Sequence, residues 1–186
     1  MMKKVVLFGD SLTDFFPMEL LMKDNIVYFN VGVAGETLPE MKIRIGEDVI
    51  VHEPDVVIIQ GGANDYLSPL YQGAEKVADQ LVDLGVRIQK NLPKAKVYIE
   101  SLYPVYPRRL PGDIYSWAEG KSKEEICRIN SMVKNLCGER SLIYVDMYSH
   151  LADKNGELSL KDTVDGVHLR QSGYEKIASV IKELVS

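Results

Sequence analysis

Ser11 closes the run Val5-Val6-Leu7-Phe8-Gly9-Asp10-Ser11, and near the other end of the chain His168 follows Asp165 by three positions. A serine hydroxyl is a weak nucleophile at neutral pH and needs a base beside it. A histidine serves as that base when an acceptor holds its other ring nitrogen, and Asp165 is spaced to reach the Nδ1 of His168. Attack on a carbonyl also needs fixed donors for the developing oxyanion, and losing one costs roughly 100- to 1,000-fold in rate. Gly32 offers a backbone N–H with no side chain in the way. Asn64 offers a side-chain amide, and the N–H of Ser11 itself is the third candidate. Each residue also has a plainer role. Ser11 would cap a following helix, Gly32 and Gly35 would serve a turn, and Asn64 would sit in the turn-like stretch Gly61-Gly62-Ala63-Asn64-Asp65. Asp10 and Asp65 read as residues that fix their own loops by local hydrogen bonds.

These residues need a scaffold that brings distant segments together. Five apolar, β-branched runs recur at Val5–Phe8, Ile26–Phe29, Val56–Ile59, Val97–Ile99 and Leu142–Val145. Both faces of such runs are buried, as in a parallel sheet. Helical patterns separate them. Val77, Leu81, Leu84, Ile88 and Leu92 form one apolar face, ended by Pro93. A Ser122/Glu125 box opens a helix bearing Ile126, Ile129, Val133 and Leu136. Tyr174, Ile177, Ile181 and Leu184 mark a last helix, and Leu38–Val51 is expected to hold another, with Pro39 in its first turn. Alternating strands and helices predict an α/β fold, a parallel sheet with helices on both faces. Ligands of such sheets sit beyond the carboxyl ends of the strands. Ser11 follows the first run and Asn64 the third; in a flavodoxin-like order they flank the point where the winding reverses. Tyr103–Trp117 is a long irregular loop on the same edge, and Asp146–Val167 must return to it. No repeat or linker divides residues 1–186, which read as a single domain.

The segments Gly9-Asp10-Ser11, Asn30-Val31-Gly32, Gly62-Ala63-Asn64-Asp65 and Asp165-Gly166-Val167-His168 together resemble the four blocks of the SGNH (GDSL) hydrolases, a family of esterases and lipases. The resemblance runs from Val5 to the last helix, in the family's order. It implies a three-layer α/β/α sandwich with a five-stranded parallel sheet and cofactor-free hydrolysis of carboxylic esters. It implies Ser11, Asp165 and His168 as the catalytic triad, with Ser11, Gly32 and Asn64 forming the oxyanion hole. One position departs from the pattern: where the family often has a glycine four residues after the serine, this chain has Phe15. Phe15 and Phe16 are both expected to pack under the first helix. The Gly-x-Ser-x-Gly elbow of the α/β-hydrolases is missing.

Composition narrows the alternatives. The chain has 186 residues, 46% hydrophobic and 26% charged, with a formal net charge of −5. That suits one sizeable core and gives no support to nucleic-acid binding. No apolar stretch is long enough for stable membrane insertion. Met-Met-Lys-Lys runs straight into the first strand without a leader-like segment. Cys127 and Cys137 fall too far apart on one helix to pair, so both are expected reduced. A cytoplasmic location is expected. No grouping of histidines, cysteines and carboxylates has metal-ligand spacing, so no metal is expected. His52 reads as a helix-end residue and His150 as surface.

A nucleotide- or phosphate-binding protein is the first rival reading. Asn30–Gly35 only faintly matches a Gly-x-Gly-x-x-Gly run, no Gly-x-x-x-x-Gly-Lys-Ser/Thr occurs, and Asp10 has no carboxylate partner two positions on. A catalytically silent binding module on the same fold is the second. The substrate expected is a small-molecule ester with a short-to-medium acyl group. Arg108 and Arg109 read as solvated loop charges. The aromatics Tyr103, Tyr106, Tyr115 and Trp117 would form a lip for substrate or bury a contact between copies of the chain.

Overall fold

A computed structural model describes residues 2–112 and 114–186; Asp113, within the Tyr103–Trp117 loop, lies outside the described residues. The apolar runs form five strands: β1 (Lys3–Phe8), β2 (Ile26–Asn30), β3 (Val56–Ile59), β4 (Lys96–Glu100) and β5 (Ile143–Val145). All neighbours pair in parallel, in the order β2-β1-β3-β4-β5. This is the flavodoxin-like order, with the winding reversing between β1 and β3.

Successive strand residues point to opposite faces, and both faces are covered. Val6, Phe8, Val57, Ile59, Val97 and Ile99 pack with α4 (Ala74–Asn91) and α5 (Lys123–Glu139) on one side. Val5, Leu7, Val56, Ile58 and Tyr98 pack with α7 (Gln171–Val185) on the other. The α4 stripe Val77, Leu81, Leu84 and Ile88 is buried, each side chain contributing about 1.5–3 kcal/mol of apolar transfer. Ser122 caps α5, its Oγ accepting from the Glu125 N–H at 3.3 Å. Glu125 does not close the box; its carboxylate accepts from Tyr71 Oη at 2.6 Å.

The Leu38–Val51 segment is not one helix. It is α2 (Leu38–Ile43), a π-helical turn over Ile45–Val49 and a 3-10 turn over Ile50–His52. The break falls at Arg44, whose side chain leaves the helix surface to bind backbone at the sheet edge. A π turn of this kind widens the helix locally and is frequent near functional sites.

Register levels the strand ends that matter. Phe8 lies across from Ile59, and Leu7 across from Asn30. The segments after β1, β2 and β3 therefore emerge side by side at the carboxyl edge. Beyond β2 the pairing continues, with the Val33 N–H donating to the Gly9 carbonyl at 3.0 Å.

Candidate active site

Ser11 is the first residue of α1 (Ser11–Asp14) and is 7% exposed. Asp10 caps this short helix through Oδ1, which accepts from the Leu12 N–H at 3.0 Å. Gln60 Oε1 accepts from the Asp10 N–H at 3.3 Å and from Thr13 Oγ1 at 3.0 Å, tying the turn to the end of β3. As the first N–H of a helix, that of Ser11 has no intrahelical partner.

The segment after α6 (Tyr148–Leu151) returns to this edge. Thr163 and Leu169 bridge, the Val164 N–H donates to the His168 carbonyl at 3.0 Å, and Gly166 turns the chain at φ 94°. Asp165 Oδ1 accepts from the N–H groups of Val167 at 3.0 Å and His168 at 2.8 Å. Its Oδ2 lies 2.5 Å from His168 Nδ1, and His168 Nε2 lies 2.9 Å from Ser11 Oγ. A carboxylate only accepts, so it selects the tautomer with Nδ1–H and leaves Nε2 as an acceptor facing the Ser11 hydroxyl.

Asn64 lies in α3 (Ala63–Leu67), and its Nδ2 donates one hydrogen to the Glu36 carbonyl at 2.8 Å, leaving the second free. Asp65 fixes the neighbouring segment by accepting from the Leu38 N–H at 3.0 Å. Gly32 is placed less openly. Its N–H donates to Asn30 Oδ1 at 3.0 Å, while Asn30 Nδ2 donates to the Thr13 carbonyl at 2.8 Å. A Cβ on Gly32 would fall on backbone, 2.7 Å from Asp14 Cα and from the Thr13 carbonyl carbon. The glycine is required by the close approach of the two loops.

A cleft of about 410 Å³ opens over Ser11, Asn64 and His168, lined otherwise mainly by Phe15, Ala34, Ala63, Leu67, Pro69, Trp117 and Val167. Ala34 and Gly35 of the β2 loop line it, whereas Gly32 does not. The two phenylalanines part company. Phe16 is buried edge-on against Tyr174. Phe15 is 55% exposed and stands 5.6 Å from the His168 ring. α1 ends at Asp14, so these neighbours face opposite ways and Phe15 becomes a wall of the cleft. Trp117, 48% exposed, stacks on Tyr115 at 5.0 Å on the cleft's rim. Arg108 pairs with Glu157 and lies over the Tyr106 ring, and Arg109 is exposed; neither lines the cleft. Tyr103 is buried, its Oη donating to Glu100 Oε2 at 2.6 Å. His52 stacks on Phe29 at the end of its 3-10 turn, and His150 is exposed.

Residues 7–176 match the GDSL-like lipase/acylhydrolase family. The chain belongs to that family of esterases and acylhydrolases. It is 26% identical over 136 residues to a multidomain esterase of Ruminococcus flavefaciens, covering 71% of this chain and 16% of that protein. It is 22% identical over 186 residues to the platelet-activating factor acetylhydrolase IB subunit alpha2 of Rattus norvegicus, covering 97% of this chain and 75% of that subunit. The chain thus spans about one sixth of the multidomain relative and three quarters of the subunit. The fold is that of a GDSL-like lipase from Bacteroides thetaiotaomicron, with a TM-score of 0.82, 21% identity, and coverage of 98% of this chain and 87% of that one.

Within this GDSL-family site the charges are arranged by burial and hydrogen bonding. The bond to Asp165 raises the pKa of His168 above its ordinary 6.5, against burial and helped by the charges of Asp165 and Asp10. Burial opposes the charge on Asp165, yet the bonds from the His168 ring and from the His168 and Val167 N–H groups leave its pKa below 3.8. Two further carboxyls, those of Asp10 and Glu100, are buried. Burial pushes Asp10 up to about 6, against the Leu12 N–H bond. Burial likewise pushes Glu100 up to about 7, against the Tyr103 bond, with the Asp10 charge adding to the rise. Among the described residues no group of three or more His, Cys, Asp or Glu is placed to hold a metal ion, and no helix is long and apolar enough to cross a membrane.

The sequence reading missed Asn30 and Arg44. Asn30 directly follows β2 residues read as core, and its bond to Gly32 spans only two positions, a common Asx pattern. Arg44 was hidden inside what looked like a continuous helix.

Proposed function

We propose that this chain is a serine esterase acting on small carboxylic esters of short-to-medium acyl groups, with residues 1–186 forming one hydrolase domain. The observation that carries the reading is the unbroken chain from Asp165 through His168 to Ser11, at 2.5 and 2.9 Å, opening onto an apolar cleft beside the Asn64 amide. His168 takes the Ser11 proton as Oγ attacks the ester carbonyl. Asp165 holds the ring and stabilises the imidazolium. The Ser11 N–H and the second Asn64 hydrogen receive the oxyanion. The Gly32 N–H joins them by sharing its hydrogen between Asn30 Oδ1 and the substrate oxygen. His168 then protonates the leaving alcohol, and water clears the acyl-enzyme by the reverse path.

The acyl preference is supported by the size and openness of the cleft and by the acetylhydrolase among the relatives. A cytoplasmic setting is supported by two unpaired cysteines, one of them exposed. The test is p-nitrophenyl acetate hydrolysis by wild type and Ser11→Ala, with a fluorophosphonate probe read by intact mass. Turnover and a single adduct in wild type, both lost in Ser11→Ala, are expected. A folded wild type that neither turns over nor labels refutes the esterase reading and favours a silent binding module. A p-nitrophenyl series with a maximum at decanoyl or longer refutes the acyl preference alone.

A further inference from the structure

The Arg44 side chain is 12% exposed and is not among the residues lining the cleft, yet every branch of its guanidinium is used. Nε donates to Glu36 Oε2 at 2.5 Å. Nη1 donates to the Val31 carbonyl at 2.6 Å and to Asp48 Oδ2 at 2.8 Å. Nη2 donates to the Gly9 carbonyl at 3.0 Å, and the guanidinium carbon lies 4.7 Å over the Phe8 ring. A cation so far from water is tolerated because two carboxylates and two carbonyls replace its hydration.

The two carbonyls and the Glu36 pairing coincide with the oxyanion donors. The Val31 carbonyl and the Gly32 N–H belong to one planar peptide. Fixing the oxygen therefore fixes the direction of the N–H, and a cation on the oxygen makes that N–H a stronger donor. The Gly9 carbonyl lies one peptide before the Asp10–Ser11 peptide that carries the Ser11 N–H. Glu36, held through its side chain by Arg44, uses its own backbone carbonyl to hold Asn64 Nδ2 at 2.8 Å. One side chain thus reaches the supports of all three donors, which come from three different strand ends.

We propose that Arg44 is the positioning residue of the oxyanion hole. It acts through the peptides of Gly9 and Val31 and through Glu36, without touching substrate. The inference rests on the esterase reading above. A lysine at this position keeps the charge but lacks the planar fork that bridges both carbonyls.

The test is a double-mutant cycle on p-nitrophenyl acetate with Arg44→Met, Arg44→Lys and Asn64→Ala, alongside thermal unfolding of each. Arg44→Met is expected to lower kcat about 30- to 300-fold while KM moves less than about threefold, because the supported donors act mainly in the transition state. Asn64→Ala, costing about 100-fold or more in wild type, is expected to cost about tenfold or less once Arg44 is replaced, since both changes disable one device. Arg44→Lys should fall between wild type and Arg44→Met. A purely structural arginine would lower the active fraction and leave the Asn64→Ala factor unchanged, so equal factors in the two backgrounds overturn the proposal. So does a kcat within about threefold of wild type in folded Arg44→Lys and Arg44→Met. Should Arg44→Met unfold, the cycle is closed with Arg44→Lys and judged by the same coupling. A wild type without turnover removes the esterase reading and this proposal together. A wild type that turns over and depends on Ser11, but gives additive losses, removes this proposal alone.

Discussion

Asp165→Asn isolates what the carboxylate does for His168, because the structure dictates how the new amide must sit. In wild type Oδ1 accepts from two backbone N–H groups, of Val167 and His168, while Oδ2 accepts from His168 Nδ1. An asparagine carries one oxygen and one NH2. With its oxygen on the two N–H groups, it keeps both bonds and turns its NH2 towards the ring. Nδ1 must then be unprotonated, so Nε2 carries the proton and faces Ser11 Oγ as a donor. The opposite orientation restores the useful tautomer but breaks two backbone bonds, about 1 kcal/mol each, and sets donors against donors. The wrong tautomer is therefore favoured by at least about 2 kcal/mol, roughly 30-fold in population. Loss of the charge that stabilises the imidazolium adds to this, and the same change in another serine hydrolase costs about 10⁴-fold in kcat. A fall of about 1,000- to 10,000-fold is expected here, with an unchanged unfolding temperature. The pH profile supplies an independent check. The Asp165 bond is the main cause of the raised His168 pKa, and burial opposes it. Wild-type activity should fall with acid at a pH above 6.5, and residual activity in Asp165→Asn should fall at a lower pH. A kcat within about tenfold of wild type, or an acid limb that does not move, would refute the tautomer argument.

Three further outcomes follow from named contacts. Gly32→Ala places a Cβ on the backbone of Thr13 and Asp14, which cannot step aside without moving Ser11; a loss of about 1–3 kcal/mol, or about 2–12 °C in Tm, should accompany a loss of turnover, and normal Tm and kcat would contradict this. Glu100 has its folded pKa raised from 4.5 to about 7, so the folded state binds the extra proton and stability declines as pH rises through that window. The decline should amount to about 3 kcal/mol and flatten in Glu100→Gln; parallel Tm–pH curves for the two proteins between about pH 5 and 8 would exclude it. Trp117→Ala should raise KM for hexanoyl esters more than for acetyl, since the ring lines the cleft at its exposed rim; an equal change along the acyl series would place Trp117 outside the acyl path.

How much of this was legible in the sequence depends on the distance over which each contact is decided. The strands were legible because a parallel sheet buries both faces and so writes continuous apolar runs; Val56–Ile59 is recovered to the residue. Asp165 and His168 were legible because their bond spans three positions. Asp10 and Asp65 were correctly read as loop-fixing residues for the same local reason. The α2 segment was misread because the apolar spacing of Leu38, Met41, Ile45 and Val49 continues through Arg44. The helix breaks where Arg44 reaches the carbonyls of Gly9 and Val31, distant partners that no local pattern announces. Phe15 and Phe16 show the same limit on a smaller scale. Both are apolar and adjacent, and only the end of α1 at Asp14 decides which meets Tyr174 and which meets His168. Gly32 is the sharpest case. Its residue type fits an oxyanion donor, yet its N–H rests on Asn30 Oδ1 until something stronger competes. An oxyanion is such a competitor, because a charged acceptor binds an N–H about twice as strongly as a neutral one. A ground-state ester carbonyl gains no such advantage over Asn30. In the proposed oxyanion hole, Gly32 would therefore engage mainly as negative charge develops, which is the condition for raising kcat without tightening substrate binding.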